Sequence, residues 1–247
     1  MLNTKMALRK YIHRRINNLK FQSVVFDMDG TLTDTMRVIP VLLGEEFNVP
    51  IRGILFRKFQ NFLAPYYYEN HNWMNSKLPF HLASIFNRSL FSVLRSFGRM
   101  GVRYSKSLTE IRLFPGTFEA LESVRALGLK IGLSTNGRLI EVNRKLPEEI
   151  LRMFEVIITK EWGIPKKPKP DLIILAARRL GVPLRKMIYV GDTLADMMAA
   201  KAAGCQFILV GTGTFGTHTV LIDGFPAKHV VRDIRQVPSL LGKMLKE

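Results

Sequence analysis

The chain contains one cysteine and has no apolar run long enough to cross a membrane. Cys205 cannot form a disulfide within the chain, so a disulfide-stabilised scaffold is excluded and a reducing, cytoplasmic setting is favoured. A membrane-spanning helix needs roughly 18 consecutive apolar residues, and no transmembrane segment is therefore expected. The N-terminus is basic, but no continuous apolar stretch follows it, so no signal peptide is expected either.

Acidic residues are also scarce. The chain has 20 of them against 37 lysines and arginines, which leaves a formal net charge of +17. Such a charge favours anionic partners, namely phosphorylated metabolites, nucleic acid or acidic membrane. Because the basic residues are spread along the chain, a solvated basic surface is favoured over dedicated nucleic-acid binding. The 247 residues, 47% of them apolar, can fill one large domain or a domain with an insert.

Residues 1–20 have no acid at all and form a basic extension. Leu8, Ile12, Ile16 and Leu19 recur at helical spacing, which indicates an amphipathic helix. Such a segment could contact a membrane surface or nucleic acid, or act as an arginine-rich transit peptide. We prefer the simpler interpretation, a solvated leading helix.

Residues 36–112 are rich in aromatic residues and arginine, and nearly every segment has helical period. Pro65 and Pro79 are predicted to interrupt this region, and Gly98 and Gly101 to close it. Three to four helices are expected, too many for a simple crossover, so we interpret the region as an inserted helical unit. Two apolar faces carry this prediction: Ile54, Leu55, Phe59, Phe62 and Leu63, then Leu82, Ile85, Phe86, Leu90, Val93, Leu94 and Phe97.

From residue 113 short apolar runs alternate with helical patterns. This rhythm predicts βαβ units, a parallel sheet and right-handed crossovers. The predicted fold class is therefore α/β, a Rossmann-like parallel sheet core with an inserted α-helical domain. The predicted strands are 130–134, 156–159, 187–190 and 207–210, and the predicted helices are 117–127, one from about 138, 171–180 and 195–203.

The most informative segment is the apolar run that ends in Asp27, with Asp29 two residues later. Ligands of parallel α/β sheets bind beyond the carboxyl ends of the strands, so a strand ending at Asp27 would deliver both carboxylates to one site. Two neighbouring acids can divide the work, one remaining ionised as nucleophile or metal ligand and the other carrying a proton. A strand followed by an ordinary Asx turn explains the segment equally well on its own.

Three more polar sites fall at predicted strand ends. Thr135 and Asn136 precede a helix and could bind an anion, although a helix N-cap is the simpler interpretation. Lys167 lies in a loop stiffened by prolines and could neutralise a phosphoryl group, or simply be solvated. Asp192 and Asp196 could bind a hard cation, or only favour a helix N-terminus.

Taken together, these sites resemble the motifs of the haloacid dehalogenase superfamily over essentially residues 21–240. The resemblance implies an α/β core made of residues 21–35 and 113–247. It also implies a helical cap of the C1 type at 36–112. The matching residues, in chain order, are Asp27-x-Asp29-Gly30-Thr31, Thr135, Lys167 in a Lys-Pro-x-Pro sequence, and Gly191-Asp192-x3-Asp196.

The resemblance also implies a mechanism. Asp27 would attack phosphorus and form an aspartyl-phosphate, and Asp29 would act as general acid and base. The phosphoryl oxygens would be bound by Thr135, Asn136 and Lys167. The implied cofactor is Mg²⁺, and its ligands would be Asp27, Asp29 through its backbone carbonyl and Asp192, with Asp196 as a further ligand or as a supporting residue.

The second acid, Asp29, makes the chain look like a phosphatase for a small phosphorylated metabolite, similar to phosphoglycolate phosphatases. A phosphosugar mutase similar to β-phosphoglucomutase shares all four motifs and stays open. A nucleic-acid-binding protein that uses the basic N-terminus and the cap is less favoured. The Gly211-x-Gly213-x-x-Gly216 match to a dinucleotide fingerprint follows a late strand and is weak; a glycine loop beside the phosphatase pocket is preferred. The sequence does not predict an oligomeric state.

Overall fold

The structure, a computed structural model, describes residues 19–35, 38–48, 78–212 and 228–247. Its centre is a six-stranded sheet, in which every neighbouring pair is parallel and the order is β3-β2-β1-β4-β5-β6. The predicted α/β fold class is thereby confirmed. The strands are β1 (Ser23–Phe26), β2 (Lys130–Ser134), β3 (Val156–Ile158), β4 (Met187–Gly191), β5 (Gln206–Val210) and β6 (His229–Val231).

Helices cover both faces of this sheet, which gives three layers. Successive side chains of a strand point to opposite faces. Accordingly, Val24 and Phe26 of β1 join one apolar cluster and Val25 joins the other. The helices associated with the sheet are α4 (Thr117–Ala126), α5 (Leu139–Lys145), α6 (Glu148–Leu151), α7 (Asp171–Leu180), α8 (Leu194–Ala203) and α9 (Val237–Met244).

The ends of several core elements agree with their sequence signals. Strand β2 has the predicted bounds, and helix α7 runs over Asp171–Leu180 and is followed by Gly181, as predicted. Gly181 and Gly204 both have positive φ angles, of 65° and 77°, and accept the left-handed conformation that ends α7 and α8. Glycine is favoured there because a side chain would be strained in that conformation.

Between β1 and β2 lie helices α1 (Ile39–Phe47), α2 (Leu78–Ile85) and α3 (Leu90–Lys106). They share an apolar cluster of their own, which includes Leu42, Phe47 and Leu82 but no residue of the sheet. This arrangement agrees with an inserted helical unit, although the bounds 21–35, 36–112 and 113–247 stay a prediction. The first predicted apolar face, Pro65 and residues 1–18 lie outside the described residues.

Two expectations about this region were wrong. Gly98 and Gly101 do not close it, because both lie inside the 17-residue helix α3. The second predicted apolar face is also divided between two helices. Asn87 takes a positive φ of 47° after α2, and Ser89 begins α3 by accepting a hydrogen bond from the Ser92 backbone N–H.

No helix in the described part of the chain is long and apolar enough to cross a membrane.

Candidate active site

The predicted site residues meet at the carboxyl edge of the sheet. The chain leaves β1 at Asp27, whose backbone N–H donates to the Val190 carbonyl at 2.8 Å. Because β1 lies between β2 and β4, the residues that follow these three strands are neighbours. They open onto a cavity of about 250 Å³ lined by Asp27, Asp29, Thr135, Asn136, Gly137, Glu141, Lys160, Lys166, Lys167, Thr193 and Asp196.

Lys167 is the central cation of this site and is buried. Its Nζ lies 2.5 Å from Asp27 Oδ1 and 2.6 Å from Asp196 Oδ1. It also donates to the Tyr189 hydroxyl at 2.9 Å, and that hydroxyl donates to the Ser134 carbonyl at 2.8 Å. Burial disfavours the charged form, but Asp196 and Asp27 together outweigh it and hold the pKa of Lys167 above its usual value. The ammonium is therefore fixed and charged.

Three buried carboxylates, Asp27, Asp192 and Asp196, each place one oxygen within 4.8 Å of the others. Lys167 is the ammonium that contacts this cluster, so the cluster is short of positive charge. Burial, reinforced by Asp196, raises the pKa of Asp27 to about 7 even though Lys167 opposes it. Burial and the two other acids likewise raise the pKa of Asp192 well above its usual value.

Asp192 supplies the clearest sign that a cation belongs in this cluster. Its Oδ1 accepts a hydrogen bond from Thr31 at 3.2 Å, whereas its buried Oδ2 has no partner among the described residues. A buried polar atom without a partner costs free energy, so such an atom calls for a ligand. Carboxylate oxygens suit hard divalent cations, and the donor set therefore fits Mg²⁺.

Asp196 begins a helix and also belongs to the acid cluster. Its Oδ2 accepts from the backbone N–H of Thr193 at 3.1 Å, and Thr193 Oγ1 accepts from the Asp196 N–H at 3.2 Å. This reciprocal pair is a capping box that begins helix α8. The other oxygen, Oδ1, remains on Lys167, so the cap holds Asp196 where it meets the cluster.

A family model described as haloacid dehalogenase-like hydrolase matches residues 21–204. The chain belongs to this family. Phosphoglycolate phosphatase from Escherichia coli (strain K12) is 40% identical over 97 residues, which span 39% of this chain and 38% of that protein.

Solved structures share the fold. A conserved haloacid dehalogenase-like protein of unknown function from Agrobacterium tumefaciens has a TM-score of 0.72 at 18% identity, covering 91% of this chain and 99% of that one. A haloacid dehalogenase superfamily hydrolase of subfamily IA from Geobacter sulfurreducens has a TM-score of 0.64 at 18% identity, covering 91% and 98%.

Thr135, the residue of the predicted second motif, directly follows strand β2. Thr135 is buried, and its Oγ1 accepts from the Gly137 N–H at 3.0 Å. The Asn136 side chain is engaged with the backbone of Lys167, accepting from its N–H at 2.9 Å and donating to its carbonyl at 3.0 Å. Asn136 thus ties two loops together, and its phosphate-binding role stays a prediction.

Asp29 lines the same cavity and makes contacts that the sequence motifs did not predict. Lys145 Nζ lies 2.7 Å from Asp29 Oδ1, and the Thr35 hydroxyl donates to the same oxygen. Lys145 also donates to the Tyr104 hydroxyl at 2.8 Å. No family motif marks Lys145, and the only sequence signal for it is a lone lysine in the helix that follows the second motif.

The late glycine loop begins beside the first motif. The Thr212 hydroxyl donates to the Gly30 carbonyl at 2.9 Å, so the chain after β5 contacts the loop that carries the first motif. Gly213 and Gly216 of the dinucleotide-like pattern lie outside the described residues. The preferred interpretation, a glycine loop beside the phosphatase pocket, stays a prediction.

Proposed function

We propose that this protein is a phosphatase that transfers the phosphoryl group of a small phosphorylated metabolite first to Asp27 and then to water. One observation carries the proposal. The Asp27 carboxylate lies 2.5 Å from the Lys167 ammonium, in a cluster with Asp192, whose Oδ2 has no partner among the described residues. A carboxylate nucleophile beside a fixed cation and a candidate metal site suits phosphoryl transfer, which depends on positioning and charge neutralisation.

The reaction has two steps. In the first, an Asp27 oxygen bonds to phosphorus while the ester P–O bond breaks, and the leaving oxygen takes the proton of Asp29. In the second, a water oxygen bonds to phosphorus, Asp29 takes a proton from that water, and the bond between Asp27 and phosphorus breaks. The products are the free alcohol and inorganic phosphate, and both acids return to their starting states.

The remaining residues bind and orient the phosphoryl group. Lys167 is charged and buried, so its attraction for phosphoryl oxygens is little screened by water. Thr135 and Asn136 precede helix α5 and lie on the wall of the same cavity, where hydroxyl and backbone groups can bind oxygens. Tyr189 holds Lys167 in place through its hydroxyl.

Mg²⁺ is the cofactor of this proposal. Its ligands would be Asp27, Asp192 and the backbone carbonyl of Asp29, with Asp196 as ligand or supporting residue. When bound, the ion would supply positive charge that offsets the charge of the phosphoryl group.

The cavity wall also bears on the substrate. Lys160 and Lys166 line it in addition to Lys167, which favours a substrate with more negative charge than one phosphate ester. Phosphoglycolate is the first metabolite to test, because the Escherichia coli relative is a phosphoglycolate phosphatase. We place the activity in the cytoplasm, where an unpaired cysteine is ordinary. We also propose that residues 36–112 form the cap, which closes to exclude water.

The test is release of inorganic phosphate from an aryl phosphate, measured with Mg²⁺ and with a chelator. The wild type should release phosphate only with the metal, and Asp27→Asn should remove the activity while circular dichroism shows an intact fold. Asp233→Asn is the matched control, because its carboxylate pairs with Arg235 and does not line the cavity. Unchanged activity in Asp27→Asn would overturn the proposal.

Other outcomes point elsewhere. Interconversion of phosphosugar isomers without phosphate release would assign a mutase. A folded wild type that releases no phosphate from a metabolite panel would also overturn the phosphatase. Binding to nucleic acid would then be measured over a range of salt, because phosphate contacts weaken steeply as salt rises.

A further inference from the structure

Lys145 is a buried cation outside the motifs that carry the proposed chemistry. It ends helix α5, and none of its side chain is exposed. Its Nζ lies 2.7 Å from Asp29 Oδ1, 2.8 Å from the Tyr104 hydroxyl and 3.6 Å from Glu141 Oε2. A buried ammonium is costly unless it is paired, so these contacts hold its position.

The Asp29 carboxylate is anchored through one of its two oxygens. Lys145 and the hydroxyl of Thr35 both donate to Oδ1, and the hydroxyl of Thr33 lies 3.4 Å from the same atom. The second oxygen, Oδ2, takes part in none of these three contacts. Because the Asp29 side chain is 25% exposed and lines the cavity, Oδ2 is the oxygen left for a substrate.

We propose that Lys145 is a positioning residue for Asp29, and that Tyr104 connects this pair to the helical insert. The inference rests on the proposed function, because it assumes that Asp29 passes a proton to the leaving oxygen. Lys145 would act by holding Oδ1, so that Oδ2 faces the leaving oxygen from one place in the cavity. Tyr104 belongs to α3 and packs against the apolar cluster of the insert. A shift of α3 would therefore move the hydroxyl that accepts from Lys145.

A positioning role and a structural role predict different substrate dependence. A purely structural ion pair would change stability, or lower the rate equally for all substrates. Misplacing a proton donor harms most the substrates whose leaving oxygen is strongly basic, because that oxygen cannot depart without a proton. An alkyl phosphate has such an oxygen, whereas a nitrophenyl phosphate has a weakly basic one.

The experiment compares kcat/KM for nitrophenyl phosphate and for one alkyl phosphate, such as phosphoglycolate, in the Mg²⁺-loaded protein. Lys145→Met should lose roughly a hundredfold more activity on the alkyl ester than on the nitrophenyl ester, within the range for general acid catalysis. Lys145→Arg should recover part of that difference, and Tyr104→Phe should show a smaller loss of the same kind. Lys130→Met is the control, because Lys130 begins β2 at the opposite edge of the sheet and donates to the Leu180 carbonyl at 2.6 Å.

An equal loss on both substrates in Lys145→Met, or no loss, would overturn the inference. The proposed function would still stand in that case, provided that the wild type releases phosphate. A wild type without phosphate release would overturn the proposed function, and the inference with it. If circular dichroism shows that Lys145→Met does not fold, the inference is tested with Tyr104→Phe instead. The same quantity is compared, namely the loss of kcat/KM on the alkyl ester relative to the loss on the nitrophenyl ester. That variant removes one hydroxyl from a partly buried residue and leaves the Lys145–Asp29 ion pair in place.

Discussion

The Oδ2 oxygen of Asp192 lies against the backbone of Gly30, where a β-carbon on that glycine would stand. Gly30 also has a φ of 86°, in the left-handed region that other residues rarely adopt. The loop after β1 can therefore pass close to the acid cluster only because residue 30 has no side chain. The missing side chain leaves room for the Asp192 oxygen that has no hydrogen-bond partner among the described residues.

Gly30→Ala is expected to displace Asp192 and to remove most of the Mg²⁺-dependent phosphatase activity. Gly128→Ala is the control for backbone strain alone. Gly128 has a similar φ of 81°, but no atom lies within 4 Å of the added carbon, so no neighbouring side chain is displaced. Both variants should lose about 1 kcal/mol or more of stability from the unfavourable φ. Only Gly30→Ala should lose activity, measured as phosphate release. Equal activity in the two variants would contradict the close approach of Asp192 Oδ2 to Gly30.

Mg²⁺ is expected to stabilise the folded protein, and Asp192→Asn should remove most of that effect. At a metal concentration of about 100 times Kd, the free energy of unfolding should rise by about 2.7 kcal/mol. In chelator, Asp192→Asn should be at least as stable as the wild type, because burial and two neighbouring acids oppose the charge of Asp192. Thermal unfolding with and without Mg²⁺ measures both effects. Asp233→Asn should keep the full stabilisation by Mg²⁺. Loss of that stabilisation in Asp233→Asn would argue against a metal site at Asp192.

Gly101→Ala is expected to stabilise the protein. Gly101 is exposed inside helix α3, and a β-carbon there meets no atom within 4 Å. Alanine exceeds glycine in helix propensity by about 1 kcal/mol, so chemical denaturation should show a gain of about 0.5–1 kcal/mol. A destabilised Gly101→Ala would mean that the glycine is needed for a contact of α3. Gly98→Ala should behave in the same way, since its position is equally open.

Cys205 is expected to be a poor nucleophile in the folded protein. Burial raises the pKa of its thiol to about 12, and the thiolate is the reactive form. Alkylation by iodoacetamide, followed by mass spectrometry, should be slow for the native protein and fast in denaturant. Because the chain has one cysteine, a single modification reports the rate. Equal rates in the two conditions would show that the thiol is accessible.

The same shift gives a pH dependence of stability. Between the ordinary pKa of 9.0 and about 12, the folded state keeps the thiol proton that the unfolded state loses. The contribution of the thiol is therefore complete below pH 9.0 and declines as the pH rises towards 12. The difference in unfolding free energy between wild type and Cys205→Ala should shrink over that range. A constant difference would contradict the buried thiol.

The helical insert shows where local signals fail. Gly98 and Gly101 suggested an end to the region, yet α3 continues through both to Lys106. Each glycine costs only about 1 kcal/mol in a helix. Burial of Val93 and Met100 on the inner face of α3 can offset that cost, since a fully buried apolar side chain contributes about 1.5–3 kcal/mol.

Local sequence signals are enough to predict the order of the core elements and the residues at the strand ends. Apolar periodicity and capping glycines act within a few residues, so β2 and α7 could be placed without knowledge of the fold. Once the strands are parallel, Asp27, Thr135 and Asp192 must share one edge of the sheet.

The surroundings of those residues depend on how distant parts of the chain pack together. Lys145 is 116 positions from Asp29 in the chain, and Tyr104 is 41 positions from Lys145. No periodicity or spacing links residues so far apart, because their contact depends on how α5 packs beside the first loop and how α3 returns to the core. The same holds for the Asp192 oxygen that has no partner among the described residues, since burial is a property of the folded chain as a whole.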